Sequence, residues 1–326
     1  MSTETERDAE IPGDLPSESR WRWRRYLWPA LIVCGVLIVL WYPIGMLWVH
    51  TIDDDGNFAL ADTDLPQGGS RAVAMAAALI DREVNQHRWV AADPFFLPGA
   101  MLDNMPNFQQ GIMSSLGRFA FELTDQIGRT RGSSRADDEL QKAAGLLQYP
   151  GNLWVLNFSW PPVTATSAAQ YRQAERALQS YNRRLADHQA TFERRSDNLQ
   201  ATLDRIAADL GSASAVIDAH VSEASQVWID WHSDDVFYSV KGQAFAYYLI
   251  LRELGRDFDG VLKERELSAT WEQMLESLRR AATLRPWIVS NGAPDSAILP
   301  NHLAAEGFYL LRARTQLREA TSILQK

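Results

Sequence analysis

Cysteine is nearly missing from this chain. The single Cys34 lies inside a long apolar run, so residues 51–326 can form no disulfide and no thiolate metal site. Zinc fingers, iron–sulfur clusters and thiol catalysis are thereby excluded. A dense Lys/Arg stripe is missing too, and the net charge is −9, a balance poorly suited to binding phosphates. No nucleic-acid partner is expected. The sequence contains no Gly-x-Ser-x-Gly elbow, no His-Glu-x-x-His and no phosphate-binding glycine loop. Strand-like alternation occurs only at Trp154–Trp160 (WVLNFSW), too isolated to build a sheet.

The hydrophobic fraction is 46%, enough for an ordinary packed core and incompatible with wholesale disorder. The longest apolar run, Leu27 to Val49, carries no charge over 23 residues. As a helix it would reach roughly 34 Å, enough to cross a bilayer. Trp21, Trp23 and Trp28 mark one end and Trp48 the other, with Trp41 and Tyr42 about two turns further in, as amphipathic rings do near headgroups. A cleaved signal peptide would need small residues before the cut, and Met46-Leu47-Trp48-Val49-His50 offers none. Arg20, Arg22, Arg24 and Arg25 precede the run, whereas Asp53, Asp54 and Asp55 follow it. The positive-inside rule therefore predicts a cytoplasmic N-terminus, a bacterial inner-membrane anchor and a periplasmic C-terminal domain. The expected organisation is a disordered tail (1–26), a transmembrane helix (27–49), a linker (50–69) and a helical domain (70–326).

Periodicity in that domain is helical almost throughout. Ser70 is read as the N-cap of a helix to about His87. A second is expected from about Gln110 to Ile127, and Ser134 with Asp137 resembles a capping box for a third ending near Tyr149. The longest pattern opens near Ser167 and runs to Leu210. It repeats at three–four spacing through Tyr171, Leu178, Leu185, His188 and Phe192, slips once, and resumes at Ser196, Leu199 and Leu203. Such a stutter suggests one coiled-coil-like helix of about 44 residues, with His188 fixing register. Gly211 and Ser212 are read as its end. Helices are expected over about 213–231, 235–254, 268–284 and 302–325, the last capped by Asn301. The fold class is all-α: one N-terminal transmembrane helix and an extended helical bundle.

DPFFLPGAMLDNMPNFQQG (93–111), the stretch from Ile127 to Ser134, DNLQATLDRIAADLGSASA (197–215) and NGAPDSAILPNHLAAEGFYLLRARTQL (291–317) resemble an uncharacterised bacterial family. It is catalogued as a domain of unknown function, number twenty-three thirty-three, and the resemblance covers most of 71–326. It implies a bacterial, membrane-anchored protein with no established activity. No catalytic residues are carried over from it.

Asp230, His232 and Asp234 form the best metal-like cluster, since Asp and His can ligate a divalent ion. On a continuous helix they point in different directions, so a capping turn is the simpler reading and no metal is expected. His302 with Asp295 could do acid–base work if folded together. In the loop Pro94–Leu102, prolines 94, 98 and 106 prevent a long helix, so irregular backbone presents apolar side chains. Phe95, Phe96 and Leu97 there, with Asn104, Asn107 and Phe108 beyond, are candidates for contact with a partner, a ligand or the membrane interface. Burial of the loop at one end of the bundle is the simpler expectation. Trp154/Trp160 and Trp228/Trp231 could stack on a sugar but are read as core. Three classes follow, in descending order. They are a non-enzymatic envelope scaffold or partner-binding protein whose helices meet a protein partner or a second copy of the chain, a binding module for a cell-wall or lipid ligand, and a hydrolase. No cofactor is expected.

Overall fold

The computed structural model describes residues 18–61, 65–127, 136–156, 163–224, 232–292 and 300–326. Ten α-helices occur among them. α1 (Glu18–Val49) begins upstream of the apolar run, because nothing between Glu18 and Pro29 breaks a helix. It includes a stretch long and apolar enough to cross a membrane, Tyr26–Val49, whose apolar window is not buried inside the protein.

α2 (Arg71–Asp81) starts where Ser70 predicts: its hydroxyl accepts from Val73 N at 3.2 Å. The Asp257 carboxylate strengthens this start, accepting from Ser70 Oγ (2.7 Å), Arg71 N (2.9 Å) and Ala72 N (3.0 Å) at the positive end of the helix. α2 continues as a π-turn over Arg82–Gln86. α3 (Asn104–Glu122) opens six residues before the expected Gln110; Pro106 falls in its first turn, where a missing N–H costs little. α4 is Asp138–Leu147, capped by Asp137, which accepts from Glu139 N and Leu140 N. Ser134 lies outside the described residues.

The expected 167–210 helix is two helices. α5 (Ser167–Ala186), capped by Thr166, ends in a Schellman motif. His188 sits at φ 57°, its N–H donates to Leu185 O (3.1 Å), and Gln189 N donates to Arg184 O (2.7 Å). His188 is thus an exposed terminator and sets no helix register. The chain then turns to seat Phe192 against Phe258 before α6 (Ser196–Ala224) begins. The extra residue in the repeat marks this reversal. Gly211 does not end α6, which runs through it; a Cβ there would meet the Arg314 guanidinium at 2.9 Å. The alternating Trp154–Trp160 stretch yields one isolated bridge, Leu156 to Val163, with 157–162 outside the described residues.

α7 (Ser233–Asp257) is the centre of the bundle, followed by the short α8 (Asp259–Glu264), α9 (Ser268–Ala282) and α10 (His302–Leu324). α7 packs against α2 and α3 on one side and α9 on another. Outside it, α4 and α5 close over α2 and α3, and α6 pairs with α10, which pairs with α9. Buried aliphatic and aromatic residues from α2 to α10 form one continuous cluster, so these helices share a single core. Asn301 caps α10 as expected, accepting from Ala304 N at 2.7 Å.

Candidate functional site at the exit of the apolar helix

The segment after α1 is fastened to the bundle. Asp53 approaches Arg82 (3.6 Å) and His87 (3.9 Å). Asp54 is 2% exposed: it takes Lys241 Nζ at 2.7 Å and the Arg285 guanidinium on its other face. Burial favours the neutral carboxyl, but Arg285 and Lys241 outweigh it and hold the Asp54 pKa below its ordinary value. Asp55 closes a turn by accepting from Asn57 N at 2.9 Å. Arg252 then donates to the carbonyls of Gly56 (2.9 Å) and Phe58 (2.5 Å). Arg82 itself is buried between the Phe58 and Phe245 rings, 5.0 and 4.7 Å from their centroids, and paired with Glu83 at 2.6 Å. The aspartates that mark the flank of the apolar run are therefore also its clasp.

A second attachment is the 93–102 loop. Phe95 is 74%, Phe96 45% and Met101 63% exposed, while Pro98 and Gly99 are buried in a short 3-10 turn entered from Leu97. The expected burial of the whole loop is thus overturned: it does not plug the bundle but lies along α1. The Trp41 indole donates to Phe96 O at 3.0 Å, and the Tyr42 hydroxyl donates to Phe95 O. A Cβ on Gly45 would collide with the Pro98 ring, so only glycine admits this seating. Residues 42, 45, 46 and 49 are the half-covered stripe of the 26–49 stretch, one face of a helix. Trp154 packs edgewise on Phe96 at 5.5 Å. Trp160, Trp228 and Trp231 lie outside the described residues.

Of the amide-rich residues, Asn104 opens α3 with its Oδ1 enclosed and without a hydrogen-bond partner among the described residues. Asn107 donates to Asp235 Oδ1 at 2.6 Å. Phe108 turns inward, fully buried 5.7 Å from Phe245. Asp230 lies outside the described residues, and His232 is the exposed residue before α7. The structure instead gathers Asp103, Asp234 and Asp235, with ligand atoms within 4.8 Å of one another. Burial raises the pKa of Asp234 and of Asp235, and the charge of Asp103 adds to both shifts. Asp103 belongs to a distant part of the sequence, so spacing around residue 230 gave no hint of it.

His302 is held in a loop clasp. Its Nδ1 accepts from Ser290 N at 3.1 Å, and the Ser290 hydroxyl donates to Pro300 O at 2.6 Å. Both groups of this Ser–His contact are occupied by backbone, which suits closing a loop better than activating a nucleophile. Asp295 lies outside the described residues. A groove of about 630 Å³ beside α7 and α9 is lined by Tyr248, Arg252, Arg256, Trp271, Glu276 and Arg279. Its arginines are already paired, Arg252 and Arg256 with Glu253 and Arg279 with Glu276.

The family model described as an uncharacterized protein conserved in bacteria (DUF2333) matches residues 21–228 and 217–326, and the chain belongs to that family. No curated protein and no solved structure matches it.

Proposed function

We propose that this is an inner-membrane protein whose helical domain lies in the periplasm and serves as a non-enzymatic scaffold, held in one pose against the bilayer. The observation that carries this reading is the double attachment just described, through Asp54 and through the 93–102 loop. A domain that only needed tethering would hang from a solvated linker; this one is fixed to its anchor by the buried Asp54–Lys241 ion pair. The arginines before the apolar run and the aspartates after it support the orientation. The partner-facing surface in this reading is the α6–α10 ridge, where Val216 (52%), Phe308 (58%) and Leu311 (55%) stand exposed. They flank the contact of Gly307 with Ile217.

The test is photo-crosslinking in cells, with the photoreactive residue at 308 or 311 in the full-length protein and mass spectrometry of what is captured. A reproducible envelope protein joined at these positions, and not from a control at exposed Lys263 on α8, supports the scaffold. Uniform or absent capture at all three positions overturns it and moves attention to the groove beside Trp271.

A further inference from the structure

We propose that the Pro94–Leu102 loop is a wedge that enters the lipid bilayer beside α1, presenting Phe95, Phe96 and Met101 to acyl chains. The inference rests on the reading of α1 as a membrane span. Its first support is depth. Trp41 and Tyr42, which hold the loop, lie eight and seven residues inside Val49, roughly 10–12 Å along the helix axis. A hydrocarbon layer of about 30 Å covered by Tyr26–Val49 extends beyond that level.

The second support is polar bookkeeping. Irregular backbone survives at membrane depth only where its polar groups are satisfied. Pro94 and Pro98 have no N–H to satisfy. Leu97 N donates to Pro94 O (2.9 Å), Ala100 N to Leu97 O (3.1 Å) and Leu102 N to Gly99 O (3.1 Å). The carbonyls of Phe95 and Phe96, left pointing outward from the turn, are taken by Tyr42 and Trp41. The exchange is mutual, because an indole N–H or phenol within hydrocarbon also needs an acceptor.

Composition gives the third support. Pro94 to Leu102 (PFFLPGAML) contains no polar side chain, and charge resumes on both sides, at Asp93 paired with Arg88 (2.7 Å) and at Asp103. An apolar tip bracketed by charges at its base, seated on the stripe formed by Tyr42, Gly45, Met46 and Val49, matches the water–lipid boundary. Lipid is favoured over a protein occupant because the tip is continuous with the uncovered apolar surface of α1 itself.

Nitroxide depth measurement in proteoliposomes tests this. In a Cys34→Ala background, single cysteines replace Phe95, Met101, Ile38 on α1 and the exposed Ser212. Collision with oxygen, which partitions into lipid, is compared with collision with a polar nickel chelate. The expected result is an oxygen-dominated ratio at 38, 95 and 101 and a nickel-dominated ratio at 212. If 38 reads lipid while 95 and 101 read like 212, the wedge is overturned and the anchor stands. If 95 and 101 are inaccessible to both probes, protein covers the loop and the wedge is equally overturned. If 38 itself reads water, the anchor reading fails. Gly45→Val in the same background should unseat Pro98 and turn the ratio at 95 toward nickel.

Discussion

Gly111 on α3 and Gly242 on α7 mark a close crossing of the two helices: a Cβ on Gly111 would strike Ser239 O, and one on Gly242 would strike Phe108 O. Both obstacles are backbone, so neither can swing away. Gly111→Ala and Gly242→Ala should each cost about 2–3 kcal/mol or more through overpacking at the centre of the core. Gly145→Ala on α4, where a Cβ meets nothing within 4 Å, should instead gain about 0.5–1 kcal/mol. Urea midpoints of the three variants against the parent decide this, and equal losses at all three positions would refute the crossing as the cause.

Asp54 and Lys241 are each 2% exposed, and each relies on the other. Asp54→Ala strands a buried ammonium, an error worth about 3–5 kcal/mol. Adding Lys241→Met should restore most of the loss, because the stranded charge goes with it. A double-mutant cycle by chemical denaturation measures the recovery; additive losses would mean that the two do not act as a pair.

The pH dependence of that clasp has a definite sign. Arg285 and Lys241 hold the folded pKa of Asp54 below its unfolded value despite burial. Its contribution is therefore complete above an unfolded value of about 3.9 and is lost as pH falls through the folded one. Limited proteolysis between residues 50 and 61 should accelerate on acidification, and less so in Asp54→Asn, which is already unclasped at neutral pH.

Glu306 behaves in the opposite sense. It is fully buried on α10, its oxygens have no hydrogen-bond partner among the described residues, and burial raises its pKa well above the usual value, with Lys241 only partly offsetting. A folded value above the unfolded one gives stability that is fully present below an unfolded pKa of about 4.3 and lost as pH rises through the folded value. Glu306→Gln should then be more stable than the parent at pH 8, with the gap closing toward pH 4. A variant less stable across the whole range would show that the carboxylate is ionised and paired.

His188→Gly should stabilise the α5–α6 reversal by about 0.5–1 kcal/mol, since φ 57° suits glycine, while His188→Val should destabilise it. Thermal midpoints suffice; the reverse order would indicate that the imidazole matters more than the backbone.

The same residue shows why the sequence was only partly legible. Ser70 and Asn301 announce their helices because a short oxygen-bearing side chain before an apolar repeat has one local use. The unbroken repeats on α7 and α10 are legible for the same local reason. A left-handed histidine carries no such signal, and the stutter around residues 188–196 fits a supercoil as well as a reversal. The exit site was less legible still. Phe95, Phe96 and Leu97 stood out by composition, but their seat on Trp41, Tyr42 and Gly45 joins segments more than 50 residues apart. Asp53–Asp55 read as a topology signal, and their partners Arg82, Lys241 and Arg285 gave no sign of it.

The clasp at Asp54 has a geometric consequence. A free chain of about 20 residues wanders roughly 25 Å root-mean-square, so a domain on such a leash would sample a hemisphere of heights and tilts above its anchor. Here the first residues after α1 are already fastened to the core, so if α1 spans a bilayer as proposed, the domain moves only as its anchor moves: sliding in the plane and spinning about the membrane normal. On that proposal, encounters with a neighbour become a two-dimensional search at one altitude, and a partner of the α6–α10 ridge would have to present its own surface at that same height.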